Sequence, residues 1–147
     1  MPNAWNLKDV ADELVEWLNG GTYDLPVAAE RRSVSSYDAE RAPDLLVVVF
    51  PVASESVLAS RSATSHKQRL GVSVQAKVAS IENGDVDPFI DLVDELAERM
   101  RFVSLSVGTL DAVWLGNVIN PFFEPELLKS SLVFWSTIVA TFNVAAR

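Results

Sequence analysis

Cysteine is absent from this 147-residue chain and histidine occurs once, at position 66. The first absence excludes disulfides, thiol nucleophiles and thiolate metal sites. The second leaves any zinc site to be built mostly from carboxylates, an unusual donor set for that ion. Glycine is nearly as scarce, with six residues, and none of them forms a phosphate-cradling loop, a Walker-type motif or a dinucleotide fingerprint. Lysine and arginine number 12 against 20 aspartates and glutamates, for a formal net charge of -8. The basic residues are scattered, so the clustered cations that a nucleic-acid backbone or an anionic membrane requires are missing. The longest apolar run, Leu45 to Phe50, falls far short of the roughly 20 residues of a membrane span. Met1 to Asn6 carries no basic stretch followed by an apolar one, so a soluble chain made in the cytoplasm is expected.

What the chain does have is apolar mass. Hydrophobic residues make up 49% of it, at the top of the ordinary range for a soluble domain. One domain spanning residues 1–147 is expected, large enough to bury a core without metals or disulfides. A surplus of apolar surface then points toward burial in a partner.

The pattern along the chain predicts an α+β fold, two helices packed on a mostly antiparallel β-sheet with a long β-hairpin loop. Leu7, Val10, Ala11, Leu14, Val15 and Leu18 recur at helical spacing, with Asn6 placed to cap and Gly20-Gly21 to stop. Tyr23 to Val34 is strand-like but interrupted by Pro26. Leu45 to Phe50 is a strand whose six large apolar residues cannot share one face, so both faces should be covered. Ala53 to Ser65, with five serines, is expected to be a mobile loop that orders only on assembly. Leu70 to Val78 alternates as a strand with one wet face. Asn83-Gly84-Asp85 is predicted as a turn, Asp87 as an N-cap and Pro88 as the first residue of a second helix reaching Arg101. A short strand from Ala112 to Ile119, ended by Asn120-Pro121, and a final one from Leu132 to Val144 complete the order. In that last strand Leu132, Phe134, Ile138 and Phe142 are assigned to the core. Val133, Trp135 and Val139 are assigned to a subunit contact.

Residues that could carry chemistry are few. His66 sits between Ser65 and Lys67, and adjacency in sequence does not assemble a Ser-His-Asp triad, which needs three groups brought together in space. Asp9, Asp12, Glu13 and Glu16, and again Asp91, Asp94, Glu95 and Glu98, could flank a metal pair, but the accompanying Glu-x-x-His motifs are absent. Asn83 to Asp87 lacks the twelve-residue spacing of a calcium loop. No catalytic, cofactor-binding or metal residue is assigned, no cofactor is expected, and the chain is read as a non-enzyme. The basic residues Arg31, Arg32, Arg61, Lys67 and Arg69, together with His66 and Trp135, are assigned instead to an interface, the cations in ion pairs between subunits. Four rings, Phe122, Phe123, Phe134 and Trp135, are expected near one end of the sheet, part core and part contact.

The order of elements resembles the tail terminator, or tail completion, proteins of tailed bacteriophages, the head-tail joining subunits of the virion. The likeness is carried by the helix Leu7 to Leu18 with its glycine stop, the arginine-bearing strand Ala29 to Arg32 and the central strand Leu45 to Pro51. The long loop, the acidic helix Pro88 to Arg101 and the terminal strand Phe134 to Phe142 complete it. The resemblance implies a homo-oligomeric, six-membered ring that caps the tail tube, with the tail tube protein on one side and the head connector or stopper on the other. It further implies a place in the tail neck of the virion, assembly in the host bacterial cytoplasm, no membrane partner, and a channel through which DNA passes without specific binding. Another neck or connector protein, and a non-viral oligomeric adaptor without catalysis, stay open as alternatives.

Overall fold

The computed structural model describes residues 7–34, 45–58, 64–119 and 122–146. Three helices, α1 (Leu7–Asn19), α2 (Asn83–Met100) and α3 (Pro125–Ser131), accompany six strands. The strands are β1 (Ala29–Arg31), β2 (Leu46–Leu58), β3 (Thr64–Lys77), β4 (Ser104–Val107), β5 (Leu110–Val118) and β6 (Val133–Ala146). They form one mixed sheet in the order β1-β2-β3-β6-β5-β4, parallel only between β1 and β2. The fold is α+β.

α1 forms where its apolar spacing predicts. Val10, Ala11, Leu14 and Leu18 are buried, and Gly20 N–H closes on Glu16 O at 3.0 Å before the chain turns away. The proposed cap, Asn6, lies outside the described residues. α1 packs against β1 and β2 at one edge of the sheet and against β4 at the other. The sheet therefore curls around its helices.

α2 begins earlier than the sequence predicts. Asn83-Gly84-Asp85 is its first turn rather than a preceding one, and Asp87 and Pro88 lie inside it. The reason is local hydrogen bonding: Ser80 Oγ donates to Asp85 Oδ2 at 2.6 Å and accepts from Glu82 N–H at 3.1 Å. That arrangement nucleates a turn ahead of the proline. At the other end Phe102 adopts φ 61°, a left-handed conformation that stops the helix without glycine. β4 and β5 then form a tight hairpin through Gly108, at φ 60°, and Thr109.

The segment expected as a mobile loop is corrected over its described parts, residues 59–63 lying outside the described residues. Ala53 to Leu58 continues β2, and Thr64 to His66 begins β3, paired rung by rung from Ala53↔Arg69 to Leu58↔Thr64. The serines deceive because a strand with small polar side chains looks like a loop by composition, while its backbone ladder is unaffected. Two elements are absent from the sequence reading. β4 is too short for periodicity, and α3 fits about two turns of helix between Pro125 and the left-handed Leu132. The strand-like stretch around Pro26 shrinks to the three residues of β1. The predicted stop at Asn120-Pro121 lies outside the described residues.

The core lies between the helices and one face of the sheet. Val47, Val49, Leu70, Val72, Val74, Ile138, Ala140 and Phe142 meet Leu14, Leu18, Leu92, Leu96 and Met100 there. Phe134 anchors the end of the core near α3, its ring 5.7 Å from that of Phe89 and 5.5 Å from that of Phe123. The even-numbered residues assigned to the core in the last strand are thus buried where expected, except that Leu132 precedes the strand and is only half-buried.

Candidate functional site: the second face and open edges of the sheet

Side chains alternate along a strand, so the register defines a second face pointing away from the helices. Its successive cross-strand rows are Leu46, Gln75 and Trp135; then Val48, Ser73 and Thr137; then Phe50, Gly71, Val139 and Val118. Beyond a bulge at Val52 come Ala53, Arg69, Thr141 and Gly116, then Glu55, Lys67, Asn143 and Val113. The face thus runs from apolar near the start of β2 to charged near the far end of the hairpin.

Burial follows the same gradient across strands. Leu46, Val48, Ser73 and Gln75 are buried, so the start of β2, from Leu46 to Val49, is covered on both faces as its apolar run predicts. On β5, in contrast, Val113, Leu115 and Val118 are exposed, Val118 by 63%. The Phe50 ring lies across Gly71, occupying the space a β-carbon would take. An apolar row four strands wide results, open at its β5 end.

The assigned interface residues distribute unevenly over this surface. Lys67, Arg69 and Trp135 lie on it, but Trp135 faces Gln75, eight residues along β3 from Lys67. At roughly 3.3 Å per residue that places them about 26 Å apart. His66 is on the opposite, helix-side face, with Nδ1 3.1 Å from Ser56 Oγ. Arg61 lies outside the described residues. Arg31 is paired with Asp12 of α1, and Arg32 Nη2 is 2.9 Å from Glu30 Oε1. These two arginines therefore meet carboxylates of their own chain. Val133, assigned to a contact, is buried, while Trp135 and Val139 are half-buried.

The sheet edges form the second part of the site. Among the described residues β1 pairs with Val47, Val48 and Val49, and its last rung is Arg32 N–H to Val49 O at 2.9 Å. The next outward rung falls on Pro51, which has no N–H, so the ladder stops there. On the outward side of β1, Asn19 satisfies Ala29, its Nδ2 donating to Ala29 O at 3.1 Å while its Oδ1 accepts from Ala29 N–H at 2.7 Å. From Ala53 to Leu58 no strand among the described residues pairs with the outer edge of β2. The outer edge of β4 is likewise unpaired among them and borders a cleft of about 290 Å³ lined by Glu13, Glu16, Trp17, Ser104, Leu105 and Ser106.

A second cleft, lined by Thr22, Tyr23, Asp94, Glu95, Glu98 and Arg99, has Tyr23, Glu95 and Arg99 engaged in packing. Tyr23 Oη donates to Leu18 O at 2.6 Å, Glu95 Oε2 accepts from Asp24 N–H at 3.2 Å, and Arg99 donates to Trp17 O at 3.1 and 3.2 Å. The Arg99 guanidinium also stacks 3.9 Å from the Trp17 ring, whose Nε1 donates to Arg99 O at 2.8 Å. Burial pushes the Tyr23 hydroxyl above its ordinary pKa of 10.0, against the opposing pull of Arg99. The cluster docks α1 onto α2. Among the described residues no group of three or more histidines, aspartates or glutamates is placed to hold a metal ion. No helix among them is long and apolar enough to cross a membrane.

Sequence reasoning missed the exposed β5 strip and the edges that are unpaired among the described residues. The alternation of Val113 and Leu115 was visible, but which strands lie at an edge depends on a topology that local pattern does not encode. Neither protein-family models nor curated proteins match the chain.

Proposed function

We propose that the chain is a structural subunit of a bacteriophage tail, closing into a six-membered homo-oligomeric ring that caps the tail tube and joins it to the head connector. The observation that carries this is the sheet itself, with one face filled by helices and the other offering an apolar row that opens onto exposed Val118, Val113 and Leu115. Exposed apolar area of this kind, contiguous and on a rigid sheet, is what subunit contacts are made from. The resemblance in element order supplies the identity of the assembly. The acidic balance of -8 suits a ring whose channel passes DNA without holding it.

In this mechanism the subunit performs no bond chemistry. Identical copies present one surface to the next copy around the ring, and the two ring faces engage the tube protein and the connector. Lys67 and Arg69, at the charged end of the second face, meet acidic groups of a neighbour. Trp135 anchors the apolar end as a large ring excluded from water on contact.

Electron microscopy of the purified protein, alone and mixed with tail tubes lacking their cap, tests the proposal. Rings with a central opening, seated on tube ends and arresting their elongation, are expected. Tubes that elongate unchanged and stay bare at their ends would overturn it.

A further inference from the structure

We infer that the cleft between α1 and the outer edge of β4 takes a basic, extended segment of a different protein, added to the sheet as a further strand. This goes beyond the ring proposed above and does not depend on it. The chain is described without a break from Thr64 to Ile119, so β4 is described together with both of its flanks. Its pairing with β5 fixes which backbone groups are free. Val107 meets Leu110 across a two-residue turn, and Val103 O accepts from Trp114 N–H at 2.9 Å. Backbone groups alternate in direction along a strand, so Val103, Leu105 and Val107 bond inward while Ser104 and Ser106 turn their N–H and C=O groups outward. No strand among the described residues takes these groups up. An edge of this kind is a template for an added peptide, whose main chain supplies affinity and whose alternate side chains supply specificity.

The side chains above the edge select the peptide. Leu105 is buried toward the helices, so alternate residues of an added strand point the same way. There they enter the cleft of about 290 Å³ whose other wall is Glu13, Glu16 and Trp17. Neither glutamate has an ion pair or side-chain hydrogen bond among the described residues. The two are one helical turn apart, about 5 to 6 Å between β-carbons, and alternate residues of a strand repeat at about 6.6 Å. Two Lys or Arg side chains separated by one residue therefore reach one carboxylate each. The Trp17 ring, its Nε1 already bound to Arg99 O, lies alongside for their aliphatic stems. The surrounding charge has the same sign: four carboxylates on α1 and six on α2, against Lys8 and Arg99, give these two helices the whole of the net charge of -8. On the opposite face Ser104 and Ser106 are small and exposed, so the intervening residues of the peptide are unrestricted. The occupant is thus an extended segment with basic residues at alternate positions.

The probe is a fluorescein-labelled peptide alternating lysine and threonine, followed by anisotropy and by amide hydrogen exchange of the protein. Saturable binding that weakens with salt is expected, with slowed exchange at the Ser104 and Ser106 amides and little change at β1. Glu13→Gln combined with Glu16→Gln should weaken binding roughly tenfold without lowering the melting temperature. Two N-methylated peptides, one blocked at every lysine amide and the other at every threonine amide, test the strand itself, because an added strand spends only alternate amides on its neighbour. One should bind as the unmodified peptide does, and the other should not. A peptide that does not bind, equal binding by the two methylated forms, or binding indifferent to the glutamate pair overturns the inference. Slow exchange at Ser104 and Ser106 in the protein without peptide also overturns it, since the edge is then filled by this chain or by a second copy. A protein that stays monomeric yet binds the peptide as described overturns the ring and leaves this inference standing.

Discussion

Gly71 and Phe50 share one volume on the second face of the sheet, so a side chain at position 71 must displace the ring. Gly71→Ala is expected to lower stability by about 1 to 3 kcal/mol, the range for overpacking. The double variant Gly71→Ala with Phe50→Leu should recover part of the loss, and denaturant midpoints of the two proteins check it. Phe142 and Trp135 occupy opposite faces of β6, and their roles separate in the same way. Phe142 is fully buried, and its truncation to alanine should cost the folded subunit about 3 to 5 kcal/mol. Trp135→Ala should leave the monomer folded and reduce the mass of the assembly. The assignment fails if both variants lose fold and assembly in equal measure.

Tyr23 adds a pH dependence. Burial, the larger effect, raises its folded pKa above 10.0, so the folded state holds the phenolic proton where the unfolded chain releases it. The resulting stability is fully present below pH 10 and is lost as pH rises through the folded value. Tyr23→Phe is expected to cost about 1 kcal/mol at neutral pH through the lost bond to Leu18 O. It should also flatten the decline in melting temperature above pH 10. An alkaline decline as steep in the variant as in the parent would show that another group is responsible.

At the scale of elements, Asn19 joins the end of α1 to β1 by using its side-chain amide as a strand would use a peptide group. Asn19→Ala leaves Ala29 N–H and C=O without these partners, and a loss of about 1 to 3 kcal/mol is expected. The readout is faster hydrogen exchange at β1 and the adjoining rungs of β2, with β5 and β6 little changed. Elements with strong periodicity were legible in the sequence: α1, the body of α2, the alternating half of β3 and the last strand. Their signals are local and repeated over several turns or rungs. What was misread has a physical reason in each case. Ser54, Ser56 and Ser65 disguise strand as loop, since their backbone pairing is set by the strands beside them. The Ser80 hydroxyl moves the start of α2 upstream of the proline expected to begin it. Phe102 and Leu132 take left-handed conformations usually given to glycine, so the stops they make carry no glycine signal.

For the molecule as a whole, the candidate surface was legible only in outline. An excess of apolar residues announces a second buried face, yet the sequence does not tell which strand lies at the edge or which cations already have partners. Arg31 and Arg32 illustrate the limit, since Asp12 and Glu30 take them within the chain once β1 is in place. The curl of the sheet around α1 brings Glu13 and Glu16 beside β4, a juxtaposition of residues about 90 positions apart that no local pattern in the sequence signals. In the proposed ring Lys67 and Arg69 meet a neighbour's carboxylates, and higher salt should then weaken assembly because such exposed charges are screened.

The central claim is a closed ring of identical subunits, and native mass spectrometry of the purified 16.1 kDa chain tests it most directly. A concentration series, run alone and in the presence of tail tube protein, is expected to give one discrete closed species at six chain masses, without a ladder of larger polymers. A monomer or a dimer persisting across the series under both conditions would contradict it.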